Sequence, residues 1–456
     1  MDAKDLRERF SNIYEGSKEN LDQSEGKLKS RFHKSEILED LGYEEEDIKV
    51  EKSDERGKRT DIHCTDEYGN VSFVVEFKKP NVDVGKSKHK EQLVDRYMKP
   101  LKADFGILYN GLKVVAYRRE GLNSEHLFTK RADDLGDKAK EIIKFAEKPD
   151  YSLTKIDNVK EYFKKFDEQE EKLELVEESA REHFFENFKL EKNSSFENLL
   201  ISTIDLFQQM KGENQFLDSA FRFWKESYAK KPEEVPSSWE NIMKRTDLSG
   251  KSDLYEFMFC LETSYAIFAR LIMAKSGEDY KFSDANFSWF IQTEVKKASR
   301  RGDIAGASWA KVTQELISDM RDNLVSSVFE EDIFYWWTEH FEDKSYDDLF
   351  HVKQIPNETI KFGTSLGKIT LMVYKFNFSK IDGDPLGVLY QQYFDKETRK
   401  ALGEFYTPQE VVDYILDSVD YSGRQVLDKR LLDPAWFRNF PGISTSKIPK
   451  RSRKLR

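Results

Sequence analysis

The sequence is short of cysteine, histidine and proline. It holds two cysteines, Cys64 and Cys260, too few for a disulfide framework or a cysteine-rich zinc site. Its seven histidines are scattered and show no ligand spacing. No run of about 18 apolar residues occurs, so no membrane span is expected. Met1 to Phe10 is charged throughout, so no secretory leader is expected, and the expectation is a cytoplasmic protein. No internal repeat is found. What is present is aromatic and charged: 13% Phe, Trp and Tyr argue against disorder, and 35% Asp, Glu, Lys and Arg argue for solubility. At about 100–200 residues per domain, 456 residues suggest several domains.

The net charge of −11 is the wrong sign for a nucleic-acid binder, but binding needs a local basic surface rather than a basic total. From Lys78 to Lys102 there are eight Lys/Arg against three Asp/Glu, and from Lys296 to Lys311 five against one. Such runs are also what ordinary solvated helix faces look like.

Residues 1–45 read as helical, with Leu28, Phe32, Leu38 and Leu41 at helical intervals. From Ile48 to Tyr117 the period changes to two. Thr60–Thr65, Val71–Lys78, Asp104–Leu108 and Leu112–Tyr117 are strand-like, and Tyr109-Asn110-Gly111 is a hairpin signal. Ser87–Met98 reads as a helix between strands. Residues 125–150 are a polar, charged passage. From Ser152 to Asp347 the pattern is mostly helical, with breaks at Asn193–Ser195 and Lys230–Ser238. Residues 357–376 alternate like a hairpin, and helix resumes at Leu386–Leu402. Thr407 can cap a helix whose first residue is Pro408, with Glu410 completing a capping box. Val411, Val412, Ile415, Leu416 and Val419 form its apolar face. Leu431–Ala435 then reads as a buried strand running into a loop.

Chemistry concentrates first on the early strands. Glu76 and Lys78 are two apart, so they share a face, while Val71, Phe73, Val75 and Phe77 face a core. A turn near Tyr68 places Asp61 across from Val75 or Glu76. Two carboxylates and a lysine would then converge, a donor set suited to Mg²⁺ beside phosphate. A surface hairpin with ordinary charges fits these three residues as well. His63 shares the strand of Asp61 and reads as an exposed strand histidine.

Several segments together resemble the PD-(D/E)xK nuclease superfamily, in particular the nuclease domains of type I restriction subunits and of fused type IIG restriction–modification enzymes. They are Arg31–Tyr43, Arg59-Thr60-Asp61-Ile62, Phe73–Pro80, Glu91–Tyr97 and Phe105–Gly111. The resemblance implies that Asp61 and Glu76 are metal ligands and Lys78 the catalytic lysine. It implies supporting roles for Gln92 and Tyr97, although the related subunits carry Gln-x-x-x-Tyr and this chain has one residue more. It also implies a carboxylate from the first helical region, for which Glu36, Glu39 and Asp40 are candidates and Glu39 is chosen. Double-stranded DNA is then the expected substrate, with Lys79, Lys86, Lys88 and Lys90 on its phosphates.

Ala401-Leu402-Gly403-Glu404-Phe405-Tyr406-Thr407-Pro408, a helix, and Leu432-Asp433-Pro434-Ala435 resemble the entry to N6-adenine DNA methyltransferases, with Leu386–Phe394 as the approach helix. In that family a glycine loop after Asp-Pro-Ala meets S-adenosylmethionine, and Asp433 is the one cofactor-site residue present here. The loop is replaced by Trp436-Phe437-Arg438-Asn439-Phe440-Pro441-Gly442. The codons TGG TTC CGG AAC TTT CCT encode these residues up to Pro441, and read one base later they continue as Gly-Ser-Gly-Thr-Phe-Leu, the family's motif. We hypothesise a frameshift at Ala435. Trp436–Arg456, with seven Lys/Arg and no acid, would be out-of-frame translation. Other codons at these positions, with an intact frame in the gene, would dismiss the idea. No Asn-Pro-Pro-Tyr or Asp-Pro-Pro-Tyr stretch for an extruded adenine is present either. S-adenosylmethionine binding and methylation are therefore not expected of this chain, and a second chain would have to supply the missing methyltransferase and target recognition.

The expected architecture is an α/β nuclease domain with a mixed sheet at residues 1–150. A helical connector and approach region at 151–400 follows, then the truncated start of a Rossmann-like methyltransferase at 401–435 and a basic tail at 436–456. The expected function is a Mg²⁺-dependent endonuclease joined to an incomplete adenine methyltransferase. The alternative is an inactive DNA-binding remnant.

Overall fold

The computed structural model describes residues 2–50, 61–121, 123–149, 151–167, 171–232, 234–246, 248, 253–281, 286–323, 333–351, 355–381, 384–394, 396, 398–399 and 409–418. The chain divides into two compact units, one of residues 1–187, 271–330 and 341–379, the other of residues 188–270, 331–340 and 380–456.

The first unit opens on helices α1 (Ala3–Lys18), α2 (Glu25–His33) and the short α3 (Ile37–Asp40). Asp2 and Ser24 cap the first two by accepting from backbone N–H groups that the helix leaves unpaired. Six strands follow, β1 (Ile48–Val50), β2 (Ile62–Thr65), β3 (Val71–Phe77), β4 (Phe105–Tyr109), β5 (Lys113–Glu120) and β6 (Asn123–Arg131). They pair in chain order in one sheet. Every pair is antiparallel except β3–β4, which is parallel. A parallel pair needs a crossover. Here it is α4 (Ser87–Leu93), a π-helical turn (Val94–Met98) and α5 (Lys99–Leu101).

Helices cover both faces of the sheet. On one, Phe10, Phe32, Leu38 and Ile142 of α6 (Lys138–Ala146) pack on Ile62, Phe73, Val75, Phe77, Ile107 and Tyr109. On the other, Leu93, Val94, Tyr97 and Met98 of the crossover pack on Val74, Leu108 and Val115. The fit there is tight. A Cβ on Gly106 would lie 2.7 Å from Met98 Sδ, so a larger residue there would push the Met98 side chain off β4. Sandwiched in this way, β3 is buried along its whole length, which makes Glu76 a charge inside a covered sheet.

Three sequence expectations need correction. Residues 125–150 hold β6 and α6; β6 is a mostly exposed edge strand whose charges blunt further pairing, so no apolar alternation betrays it. Residues 357–374 form a helix, not a hairpin. It is buried on most sides, which hides the helical period. A Cβ on Gly363 would lie 2.3 Å from Gly306 O, so the glycine serves a close backbone approach. Val71 does not share the face of Phe73, because an irregularity between Cys64 and Thr65 shifts the register and sends it to the other core. Of the stretch expected to be helical at Leu386–Leu402, Pro385–Tyr393 is helix, and the described residues 396, 398 and 399 are helical after a bend at Phe394; residues 395, 397 and 400–402 lie outside the described residues. In addition, the helix Asp253–Asp279 is long and apolar enough to cross a membrane, yet 83% of its apolar window is buried inside the protein.

The second unit is helical, with Ser195–Met210, Gln215–Ser227 and Ser237–Arg245 around an aromatic core. Phe196 stacks on Tyr393 with centroids 4.0 Å apart. Trp239 donates through Nε1 to Tyr393 O at 2.9 Å, and Trp336 to Thr263 Oγ1 at 3.0 Å, so the polar tips of these two buried rings are satisfied. The helix Gln409–Ser418 exposes Val411, Tyr414 and Ile415. The Gly403–Pro408 stretch, Leu431–Ala435 with Asp433, and Trp436–Arg456 lie outside the described residues.

Candidate active site

Ile62 pairs with Val75, which carries Asp61 alongside Glu76 at the C-terminal end of β3. Asp61 is held from two sides. Its Oδ2 accepts from Phe77 N at 2.7 Å and its Oδ1 from Lys29 Nζ on α2 at 3.3 Å. Glu76 is 2% exposed. Its Oε1 accepts from Lys78 Nζ at 2.6 Å and from Gln92 Nε2 on α4 at 2.5 Å. Its Oε2 is buried and, among the described residues, has no partner. Lys78 is itself buried, and its backbone N donates to Tyr109 O at 2.9 Å, extending the β3–β4 pairing past the strand. Asn110 braces the same end. Its Oδ1 accepts from Lys113 N at 2.7 Å and its Nδ2 donates to Val82 O at 2.8 Å, which ties the hairpin turn to the segment after Lys78.

Burial pushes the Glu76 carboxyl up to about 7, with the charge of Asp61 adding to the rise and Lys78 opposing it. In the folded protein the group is protonated below that pH, so any cation taking its carboxylate form competes with a proton. Glu25, on the first turn of α2, contributes to the same field.

Asp61, Glu76, Lys78 and Gln92 are thus brought together. Tyr97 is buried against the sheet face that the crossover covers. The extra residue between Gln92 and Tyr97 coincides with the π turn, a geometry that accommodates one more residue per turn than an α-helix. Glu39 is exposed on α3; its charge acts on Cys64, while the helical carboxylate acting on Glu76 is Glu25. Lys79, Lys86, Lys88 and Lys90 are all exposed, with Lys90 set 5.9 Å from the Tyr117 ring centroid. His63 is not an exposed strand residue. It is largely covered, its ring centroid 6.5 Å from that of His183, and burial holds its pKa down to about 4. Among the described residues, no group of three or more His, Cys, Asp or Glu side chains could hold a metal ion, so a cation here would rest on Asp61 and Glu76.

Sequence reading missed Lys29 and Glu25. They are four apart, so they share a face of α2, and that spacing just before the Arg31–Tyr43 stretch was the available signal.

Residues 31–130 match the family model described as type I restriction enzyme R protein N terminus (HSDR_N), so this segment is similar to the nuclease-like N-terminal part of a restriction enzyme. The matched span runs from α2 through β6 and contains Asp61, Glu76, Lys78 and Gln92. No curated protein and no solved structure matches the chain.

Proposed function

We propose that the first unit carries a Mg²⁺-dependent endonuclease of the PD-(D/E)xK type that hydrolyses a phosphodiester of double-stranded DNA within a restriction–modification system. The observation that carries this reading is the convergence of Asp61, Glu76 and Lys78 at the end of a buried strand, with one carboxylate oxygen of Glu76 left without a partner. Structural carboxylates inside a sheet are normally satisfied on both oxygens, and an orphan costs on the order of 1–3 kcal/mol. A functional site has reason to keep it.

The residues fit magnesium. The donors are hard oxygens, and Mg²⁺ commonly takes one or two carboxylates and completes its shell with water and phosphate. Asp61 and Glu76 would hold it, and when bound it supplies positive charge for the phosphate oxygens and a more acidic water. The chain's own residues do the rest. Lys29 and Phe77 N fix Asp61. Gln92 fixes Glu76 from the crossover side. Lys78 places an ammonium where negative charge grows during attack. Lys79, Lys86, Lys88 and Lys90 offer sequence-independent contacts to backbone phosphates, which makes affinity fall with salt.

The second part of the reading rests on sequence alone: the chain runs into the start of an N6-adenine methyltransferase that breaks off at Ala435, and a second chain supplies the remainder. Titration with S-adenosylmethionine should show no saturable binding; micromolar binding would refute this part. For the nuclease, purified protein is incubated with supercoiled plasmid and Mg²⁺ beside Lys78→Ala. Nicking or linearisation lost in the variant supports the reading. No cleavage over a range of salt and metal favours the inactive remnant.

A further inference from the structure

α4 brings a second side chain to the same end of the sheet. His89 lies three residues before Gln92, so the two share a helix face, and Gln92 reaches Glu76. His89 is 7% exposed, and its Nε2 is buried without a partner among the described residues. The charges of Lys78 at the end of the sheet, of Lys88 on its own helix and of Lys86 just before it act on the imidazole, with Asp83 as the opposing charge. Burial, then these cations, hold the imidazole below its ordinary pKa. Two buried atoms without a partner among the described residues, Glu76 Oε2 and His89 Nε2, therefore belong to side chains at the same end of the sheet: Glu76 bonded to Lys78 and Gln92, and His89 one helical turn before Gln92 and subject to the Lys78 charge. Most buried side-chain nitrogens that only serve packing find a partner within the fold.

We propose that His89 is a further residue of the hydrolytic site, where its Nε2 hydrogen-bonds the water that attacks the phosphodiester and so fixes that water beside Lys78. The inference rests on the nuclease reading and adds a positioning contact that the carboxylate–lysine set lacks. The attacking molecule needs a directed partner as well as charge, because misplacement of about 1 Å can cost about 100-fold in rate.

The test uses the full chain, with single-turnover plasmid cleavage in Mg²⁺, DNA affinity measured in Ca²⁺, and thermal unfolding of each protein. Gln puts an amide where Nε2 stands, and Asn puts one where Nδ1 stands. His89→Gln should cleave within about threefold of the native rate, and His89→Asn should lose about 100-fold, with both binding DNA like the native protein. If Asn disturbs folding, His89→Met fills the volume and should show the same loss. Asn or Met variants that cleave at the native rate overturn the proposal, as does a Gln variant that falls as far as Met. A native protein that cleaves nothing overturns the nuclease reading and this proposal together. Native cleavage with unaffected Asn and Met variants overturns this one alone.

Discussion

Two lysines lie beneath the surface of the same unit, and the chain treats them in opposite ways. Lys375 follows the helix Asn357–Tyr374 and is fully buried. It donates to Gly69 O at 3.0 Å and Tyr68 O at 3.5 Å, and its Nζ lies 3.1 Å from His183 Nε2. These contacts clamp the β2–β3 turn. Lys78, at the far end of β3, meets one oxygen of a carboxylate whose other oxygen has no partner among the described residues. Both cations cost desolvation. Lys375 meets backbone carbonyls and a histidine that bind a turn, whereas Lys78 meets a carboxylate that has one oxygen left over among the described residues and a second carboxylate nearby. A leftover carboxylate oxygen next to a second carboxylate and a lysine, rather than burial alone, marks where a cation belongs.

The comparison breaks most decisively at Lys78. Lys78→Ala should cut plasmid cleavage by about 10²–10³-fold while leaving the urea midpoint close to native. A variant that unfolds with little loss of specific activity would make Lys78 the structural lysine. Lys375→Ala should do the reverse. It removes a donor from two carbonyls and from His183 and opens a cavity, so urea unfolding should lose about 2–4 kcal/mol, with cleavage retained where the protein is folded. Lys375→Met keeps the volume and should cost under about 1.5 kcal/mol.

A pH series sharpens the same contrast. Burial holds Lys375 down to about 7, against an ordinary value of 10.5. The folded state then binds fewer protons than the unfolded one between those limits, so stability rises with pH across that window. The cost of burying this amine is absent above about 10.5 and complete below about 7. Native stability relative to Lys375→Met, measured by urea unfolding, should therefore improve from pH 7 to pH 10, and a constant difference would count against a strained amine. The smallest effects belong to the surface. Alanine at Lys79, Lys86, Lys88 or Lys90 should lower the slope of log K against log salt by about 1 for each residue that meets a phosphate.

Local chemistry made parts of this legible before any fold was known. The Tyr109-Asn110-Gly111 hairpin follows from turn residues alone, and the β4–β5 pairing bears it out. Asp61 and Glu76 could be placed opposite each other because antiparallel register over a short turn has few solutions. Where burial is complete or absent, periodicity fails. The helix Asn357–Tyr374 is apolar on most sides and mimicked alternation, while β6 is polar on most positions and gave no pattern. Lys29, Glu25 and His89 went unread because each reaches the site from a helix, across a gap in sequence that spacing does not encode.

The order of residues by itself determined which groups could do chemistry: two carboxylates and a lysine on neighbouring extended segments, with a glutamine one crossover away. Those facts are short-range, set by the two-residue repeat of a strand and the reach of one turn. Only the tertiary structure decided which polar atoms are consumed and which remain. Packing a helix on each face of the sheet removed water from Glu76 and His89, and the partners available after that removal depend on every neighbour in three dimensions.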